Sequence, residues 1–126
     1  MNQALAGRRI LVVEDEMLVA WLLEAMLSDL GCTVVGPASS VDQALAMLDV
    51  QPIDAALLDV NLNGQKSFPV ADALAARGVP FAFSTGYHKD SLPSAYQGFP
   101  VLQKPFSQLE LASILMKQLA QSKATV

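Results

Sequence analysis

Two apolar stretches of the chain end in carboxylates, at RILVVE (9–14) and DAALLD (54–59). Glu14 and Asp15 close the first stretch, and Asp59 closes the second. Like charges a few ångströms apart repel each other and raise one another's pKa, so three carboxylates that meet require cations. A hard divalent ion with oxygen ligands meets this need, and Mg²⁺ suits a few carboxylates plus waters. If the fold brings these residues together, we expect them to hold Mg²⁺, or Mn²⁺ in its place.

Residue types that bind oxyanions close two further apolar stretches. Thr85 ends PFAFST (80–85) and offers a hydroxyl, and Lys104 follows PVLQ (100–103) and offers an ammonium. With the carboxylates and a metal, they would bind a small tetrahedral oxyanion and neutralise its charge as it moves onto a carboxylate nucleophile. Each residue alone also fits a cap, a strand former or a surface lysine. Their joint occurrence at the ends of four apolar stretches favours a binding site. The peptide bond between Lys104 and Pro105 is either trans or cis, and the cis form is the more constrained of the two.

Short apolar runs alternate with longer segments whose apolar residues recur every three or four positions. The runs predict five strands at 9–14, 33–38, 54–59, 80–85 and 100–103. The longer segments predict helices at 16–31, 40–50, 67–78 and 107–121, with 88–98 as the weakest candidate because Pro93 interrupts it. Strands that are apolar throughout suit a parallel sheet covered on both faces. We expect an α/β fold, a doubly wound five-stranded parallel sheet in the order 2-1-3-4-5, flavodoxin-like and three-layered, with ligands at the carboxyl ends of the strands.

Composition narrows the class of protein. The 126 residues are 52% hydrophobic and 16% charged, which fits one folded domain (1–126, core about 8–121) and argues against disorder. The net charge is −4 without a basic stripe, so we expect no nucleic-acid partner. The chain shows neither a signal peptide nor an apolar run of about 20 residues, so we expect a cytoplasmic protein without a membrane partner.

The first predicted helix, 16–31, carries a repeat of apolar residues. Leu18, Leu22, Ala25 and Met26 recur at helical spacing and would face the core. A packing role, in the core or half-buried, is the favoured interpretation of Trp21, and a role in docking a partner is the alternative. The single cysteine, Cys32, excludes an intramolecular disulfide.

In this order and spacing, LVVEDE, LLDVNLNG, FSTGY and LQKPF resemble the receiver domain of two-component response regulators. The resemblance covers residues 8–121. It implies that Asp59 is the phosphoacceptor, which takes a phosphoryl group from a phosphohistidine of a sensor histidine kinase or phosphotransfer protein. It also implies that Thr85 and Lys104 contact the phosphoryl oxygens.

The same resemblance implies the metal ligands. Asp15 and Asp59 would ligate Mg²⁺ directly, Glu14 would act through water, and the backbone carbonyl of Asn61 would complete the protein ligands.

One position departs from the usual receiver. Most receivers carry an aromatic switch residue three positions before the lysine, where this chain has Val101. FSTGY resembles the variant subfamily named for a Phe-Ala-Thr-Gly motif ("FATGUY"), which lacks that aromatic. Tyr87 could take part of the switch role, with plain packing as the alternative. We expect 87–98 to be irregular, or a short helix with fast hydrogen exchange, and to carry the signal.

The expected function is that of a stand-alone receiver. The predicted elements use the chain up to about residue 121, so its output would be a protein–protein contact with an unknown partner. A homodimer is possible, and no enzyme activity is expected beyond its own phosphotransfer and dephosphorylation.

Three alternatives stay open. A phosphohydrolase of the haloacid dehalogenase type would need its nucleophile on the first strand. A flavodoxin would need a phosphate-binding loop where EDEML stands. A receiver-like interaction module would not take phosphate at all.

Overall fold

The computed structural model describes residues 4–86 and 91–124, with the backbone alone over 121–124. The strands are β1 (Arg9–Val13), β2 (Thr33–Ala38), β3 (Ala55–Asp59), β4 (Asn61–Leu62), β5 (Gln65–Lys66), β6 (Phe81–Thr85) and β7 (Val101–Gln103). The α-helices are α1 (Met17–Asp29), α2 (Val41–Val50), α3 (Phe68–Ala76) and α4 (Gln108–Ala124). Within these residues, no helix is both long enough and apolar enough to cross a bilayer.

Five strands form one parallel sheet in the order β2-β1-β3-β6-β7. The remaining two strands, β4 and β5, form a small antiparallel hairpin directly after β3. Counted without this hairpin, the order is 2-1-3-4-5, which confirms the predicted doubly wound fold. The carboxyl ends of β1 and β3 are therefore neighbours, since Val13 pairs with Leu58.

The sheet separates two apolar cores, because successive side chains of a strand point to opposite faces. On one face, Ile10, Val12 and Leu57 pack with residues of α1 and α4 such as Leu27 and Leu111. On the other face, the intervening residues of the same strands pack with α2 and α3. This second core includes Leu11, Val13, Leu58, Ala44, Leu48 and Leu74.

Local sequence signals set several helix starts. The Ser40 hydroxyl accepts a hydrogen bond from the Gln43 backbone N–H at the start of α2. Before α4, Ser107 and Glu110 form a reciprocal capping box: each side chain accepts from the other residue's backbone N–H. Both caps use residue types and spacings that favour the start of a helix.

The buried face of α1 differs from the prediction. Ala20, Leu23 and Leu27 are buried, whereas Leu18 is 77% and Leu22 is 56% exposed. Trp21 is 57% exposed, which excludes a position in the core but agrees with the half-buried packing role that was the other form of the prediction. The physical reason is that the first two turns of α1 are apolar all round, so periodicity alone cannot select the face that meets the sheet.

The weakest helix candidate, 88–98, is not an α-helix where the structure describes it. Residues 88–90 lie outside the described part, and a single 3₁₀ turn follows Pro93 at Ser94–Tyr96. Because proline cannot donate to a helical ladder, this irregular conformation is the predicted one.

Candidate functional site

Three carboxylates meet at the carboxyl edge of the sheet. Glu14 and Asp15 follow β1, and Asp59 ends β3. One oxygen of each residue lies within 4.8 Å of the others. Glu14 is the most enclosed of the three, with 3% of its surface exposed. The predicted meeting of these residues is confirmed, and we call this set the acidic cluster.

Lys104 supplies the cation of the site. Its Nζ donates a hydrogen bond of 2.8 Å to Glu14 Oε1 and lies 3.6 Å from Asp59 Oδ2. Its backbone N–H donates to the Thr85 carbonyl at 2.7 Å, which ties the end of β6 to the residues after β7. The Lys104–Pro105 peptide is cis, the more constrained of the two forms that the sequence left open.

Burial and neighbouring charge perturb the ionisation of Asp59. Loss of hydration, repulsion by Glu14 and a hydrogen bond with Glu14 raise the pKa of Asp59 from 3.8 to about 7, against the opposing pull of Lys104. Burial alone would lower the pKa of Lys104, but its hydrogen bond to Glu14 and the surrounding carboxylates outweigh it and raise that pKa. The site therefore holds a firmly protonated ammonium beside a carboxyl that gains its charge near neutral pH.

The β4–β5 hairpin covers one side of the acidic cluster. The Asn63 backbone N–H donates to Asp15 Oδ2 at 2.9 Å. Asn63 and Gly64 both have positive φ, 51° and 87°, as a two-residue type I′ turn requires. Sequence reasoning missed this contact, although the Asn-Gly pair is itself the signal for such a hairpin. Asn61, whose carbonyl is a predicted metal ligand, begins the hairpin on β4.

A cleft of about 330 Å³ opens above these residues. Its lining consists of Asp15, Glu16, Asp59, Val60, Asn61, Lys66, Thr85, Gly86 and Lys104. Thr85 thus lies where it was predicted, at the end of β6, and is 4% exposed. Glu16 and Lys66 are lining residues that sequence reasoning did not single out, because neither closes a strand of the main sheet.

The two predicted switch positions have different outcomes. Val101 begins β7, is partly buried and pairs with Phe83 of β6, so no aromatic ring stands at that position. Tyr87 lies outside the described residues. Another ring lies nearby: Tyr96 stacks on Phe68 with centroids 4.3 Å apart, and its hydroxyl donates to Asp72 Oδ1 at 2.9 Å.

The arrangement is suited to phosphoryl transfer. An ionised Asp59 is a carboxylate nucleophile, and Lys104 lies beside it to stabilise added negative charge. The oxygen-only donors of the acidic cluster match the preference of Mg²⁺. The residues present thus fit a magnesium site.

Comparisons with known proteins agree with this geometry. The family model described as response regulator receiver domain matches residues 10–116. The chain is 49% identical to SdrG from Sphingomonas melonis Fr1, whose solution structure it matches over 96% of this chain and 98% of that one, with a TM-score of 0.77.

Two further relatives extend the comparison. The crystal structure of the receiver domain of sensor histidine kinase PA1611 from Pseudomonas aeruginosa PAO1 has a magnesium ion coordinated in its active-site cleft. It is 30% identical to this chain, with a TM-score of 0.79 over 91% of this chain and 99% of that one. Transcriptional regulatory protein YvrH of Bacillus subtilis is 28% identical over 92% of this chain and 52% of its own length. The chain thus spans about half the length of the curated relatives that it matches first.

Proposed function

Because the chain belongs to the response regulator receiver domain family, we propose that it accepts a phosphoryl group on Asp59. The donor is a phosphohistidine of a histidine kinase or phosphotransfer protein. The observation that carries this proposal is the position of Asp59 at the end of β3, beside Lys104 and within 4.8 Å of two other carboxylates.

Each side chain at the edge has a distinct part in this proposal. An Asp59 oxygen attacks phosphorus, and the Lys104 ammonium turns from the carboxylates to the phosphoryl oxygens. Thr85 donates its hydroxyl to another phosphoryl oxygen. Asp15, Asp59 and the Asn61 carbonyl would hold Mg²⁺, with Glu14 acting through water. When bound, Mg²⁺ neutralises charge on the transferred group.

Helix α1 supplies the proposed docking surface for the donor. Met17, Leu18, Trp21 and Leu22 are all more than half exposed and lie within two turns of one helix, and contiguous apolar patches mark interaction surfaces. An apolar groove of about 360 Å³ runs from Leu22 to Lys104, Pro105 and Phe106. A partner helix on this face would lie next to the phosphoacceptor, because Lys104 belongs to both the groove and the site.

The finer assignments rest on the sequence motifs. FSTGY and the absence of an aromatic side chain at Val101 support membership of the FATGUY variant group. We propose that residues 1–126 form one receiver unit whose output is a contact with another protein, and that its own phosphotransfer and dephosphorylation are its only catalysis.

Labelling by acetyl phosphate and Mg²⁺ tests the phosphoacceptor directly. Intact-mass spectrometry should detect one acid-labile phosphoryl adduct on the wild-type protein and none on Asp59→Ala. Asp15→Asn should weaken both Mg²⁺ binding and labelling. An adduct that persists on Asp59→Ala would contradict the assignment. Turnover of p-nitrophenyl phosphate without labelling would instead favour the phosphohydrolase alternative.

A second arm of the same assay separates docking from chemistry. Leu18→Ser should slow transfer from a phosphohistidine protein but leave labelling by acetyl phosphate unchanged, because the small donor needs no docking surface. Equal rates for Leu18→Ser and wild type with the protein donor would exclude this face of α1.

A further inference from the structure

The Ser84 hydroxyl is enclosed without a hydrogen-bond partner among the described residues. Ser84 lies on β6, is 2% exposed, and its Oγ is fully buried. Buried polar groups are nearly always hydrogen-bonded, because a buried group without a partner loses its hydrogen bonds to water and gains none within the protein. An unpaired buried hydroxyl next to a reactive carboxylate indicates that the hydroxyl forms a hydrogen bond in another state of the protein.

The strand register places Ser84 beside Asp59. The two residues are partners in the parallel pairing of β3 and β6, so their backbones are about one strand spacing, ~4.8 Å, apart. Both side chains lie on the same face of the sheet. Ala82, two positions before Ser84, and Leu57, two positions before Asp59, belong to the same core beneath α1 and α4.

The Asp59 carboxylate has room for a further donor. Of the two carboxylates beside Lys104, Glu14 is the nearer at 2.8 Å, and Asp59 lies at 3.6 Å, beyond ordinary hydrogen-bond length. When the ammonium turns to an incoming phosphoryl group, Asp59 loses part of even this contact. A donor on the neighbouring strand β6 that does not line the cleft would then keep the carboxylate in place.

We propose that Ser84 is a positioning residue for phosphoryl transfer. Its hydroxyl donates a hydrogen bond to the Asp59 carboxylate oxygen that does not attack, and so holds the carboxylate plane while the other oxygen approaches phosphorus. This inference rests on the proposed function of Asp59. Fixing a nucleophile in its reactive orientation accelerates a reaction because less rotational freedom is lost at the transition state.

The chemical balance of the step leaves Ser84 unchanged. An Asp59 oxygen forms a bond to phosphorus while the bond from phosphorus to the donor breaks. The leaving group, an imidazole nitrogen or the oxygen of acetate, takes the electron pair of that bond. The Ser84 proton stays on its own oxygen throughout.

The chain offers a matched control for Ser84. Ser67, the residue before α3, is also fully buried and its Oγ also lacks a hydrogen-bond partner in the described part of the chain. Its hydroxyl makes no capping bond to α3. Ser67→Ala and Ser84→Ala therefore remove the same kind of group, but only Ser84 is a register partner of Asp59.

The test measures labelling rates with acetyl phosphate and Mg²⁺ over a range of donor concentrations. Ser84→Ala should lower the saturating rate about five-fold, the effect of one lost hydrogen bond, and leave the half-saturating concentration unchanged. Ser67→Ala should match wild type in both. Threonine and valine side chains have nearly the same shape, but only threonine keeps the hydroxyl. The saturating rate of Ser84→Thr should therefore exceed that of Ser84→Val by a similar factor.

Two results would overturn the role of Ser84 while leaving Asp59 as the phosphoacceptor. One is a labelling rate for Ser84→Ala equal to that of Ser67→Ala. The other is equal rates for Ser84→Thr and Ser84→Val, which would assign the effect to packing. A wild-type protein that takes no label at all would instead refute the proposed function, and this inference with it.

Discussion

By strand alternation Glu14 and Asp59 lie on the side of the sheet that α1 covers, and Lys104 lines a groove with α1, whereas a cluster of rings lies on the side that α3 covers. This aromatic cluster consists of Phe68, Phe81, Phe83, Tyr96 and Phe99. The rings gain stability from burial in any state of the protein. The acidic cluster crowds like charges and is relieved by protons or cations. The aromatic cluster thus supports the fold in every state, whereas the acidic cluster responds to what binds at the edge of the sheet.

The segment after β6 depends on the aromatic cluster for its position. Over 91–100 it has 3₁₀ and turn conformations and no α-helix, yet Tyr96 stacks on Phe68, and the ring centroids of Phe99 and Phe81 are 4.6 Å apart. Ring packing therefore takes the place of a regular helix in holding this segment against the sheet.

The largest effect should come from the centre of the aromatic cluster. Phe83 is fully buried and contacts the other four rings, so Phe83→Ala should cost about 4 kcal/mol of unfolding free energy. Urea denaturation measures this loss. Leu109→Ala, at a side chain that is 80% exposed, is the control and should change little. Comparable values for the two variants would remove the claimed contrast.

A substitution in the acidic cluster should raise the stability of the protein, whereas Phe83→Ala lowers it. The raised pKa of Asp59, from 3.8 to about 7, contributes stability that is fully present below pH 4 and is lost as pH rises through 7. Without Mg²⁺, Asp59→Asn should therefore stabilise the protein by roughly 2 kcal/mol at pH 8 and hardly at all at pH 4. Thermal unfolding at the two pH values measures the difference.

A surface carboxylate provides the control for this pH dependence. Asp42 lies in the first turn of α2, where a negative charge is favourable. Asp42→Asn should give no gain at pH 8. If Asp42→Asn stabilised the protein as much as Asp59→Asn does, the increase in stability would come from the change in net charge and not from the acidic cluster.

The smallest effect should be at the edge of the aromatic cluster. Tyr96→Phe keeps the ring stacked on Phe68 but removes the hydrogen bond to Asp72, at a cost of about 0.5 kcal/mol. In a double-mutant cycle with Asp72→Ala, the coupling energy should equal that cost. Hydrogen exchange over 91–100 should quicken in Tyr96→Phe, and unchanged exchange there would show that the stacked rings alone hold the segment.

Sequence patterns predicted the elements with the strongest local signals. The strands that end at Asp59 and Thr85 are continuous apolar runs, and the start of α4 carries the complete capping box of Ser107 and Glu110. The irregular turn after Pro93 follows from the proline itself. These signals act within a few residues, so they can be interpreted without knowledge of the rest of the chain.

The composition of the site was likewise available from sequence, because parallel strands bring their carboxyl ends to one edge. That rule, together with the predicted strand order 2-1-3-4-5, predicts the meeting of Glu14, Asp15 and Asp59. Only the tertiary structure decided which carboxylate Lys104 approaches most closely, since the choice of Glu14 depends on ångström-scale distances between separate strands.

Long-range packing also explains the two other results that the sequence did not predict. The sheet selects Leu23 and not Leu22 of α1 for burial, because both are equally apolar and only the angle of the helix on the sheet distinguishes them. Pairing with β3 places Ser84 beside Asp59, although 24 positions separate them in the chain. Sequence alone determined which groups could do chemistry at this edge, and long-range packing determined which of them face one another.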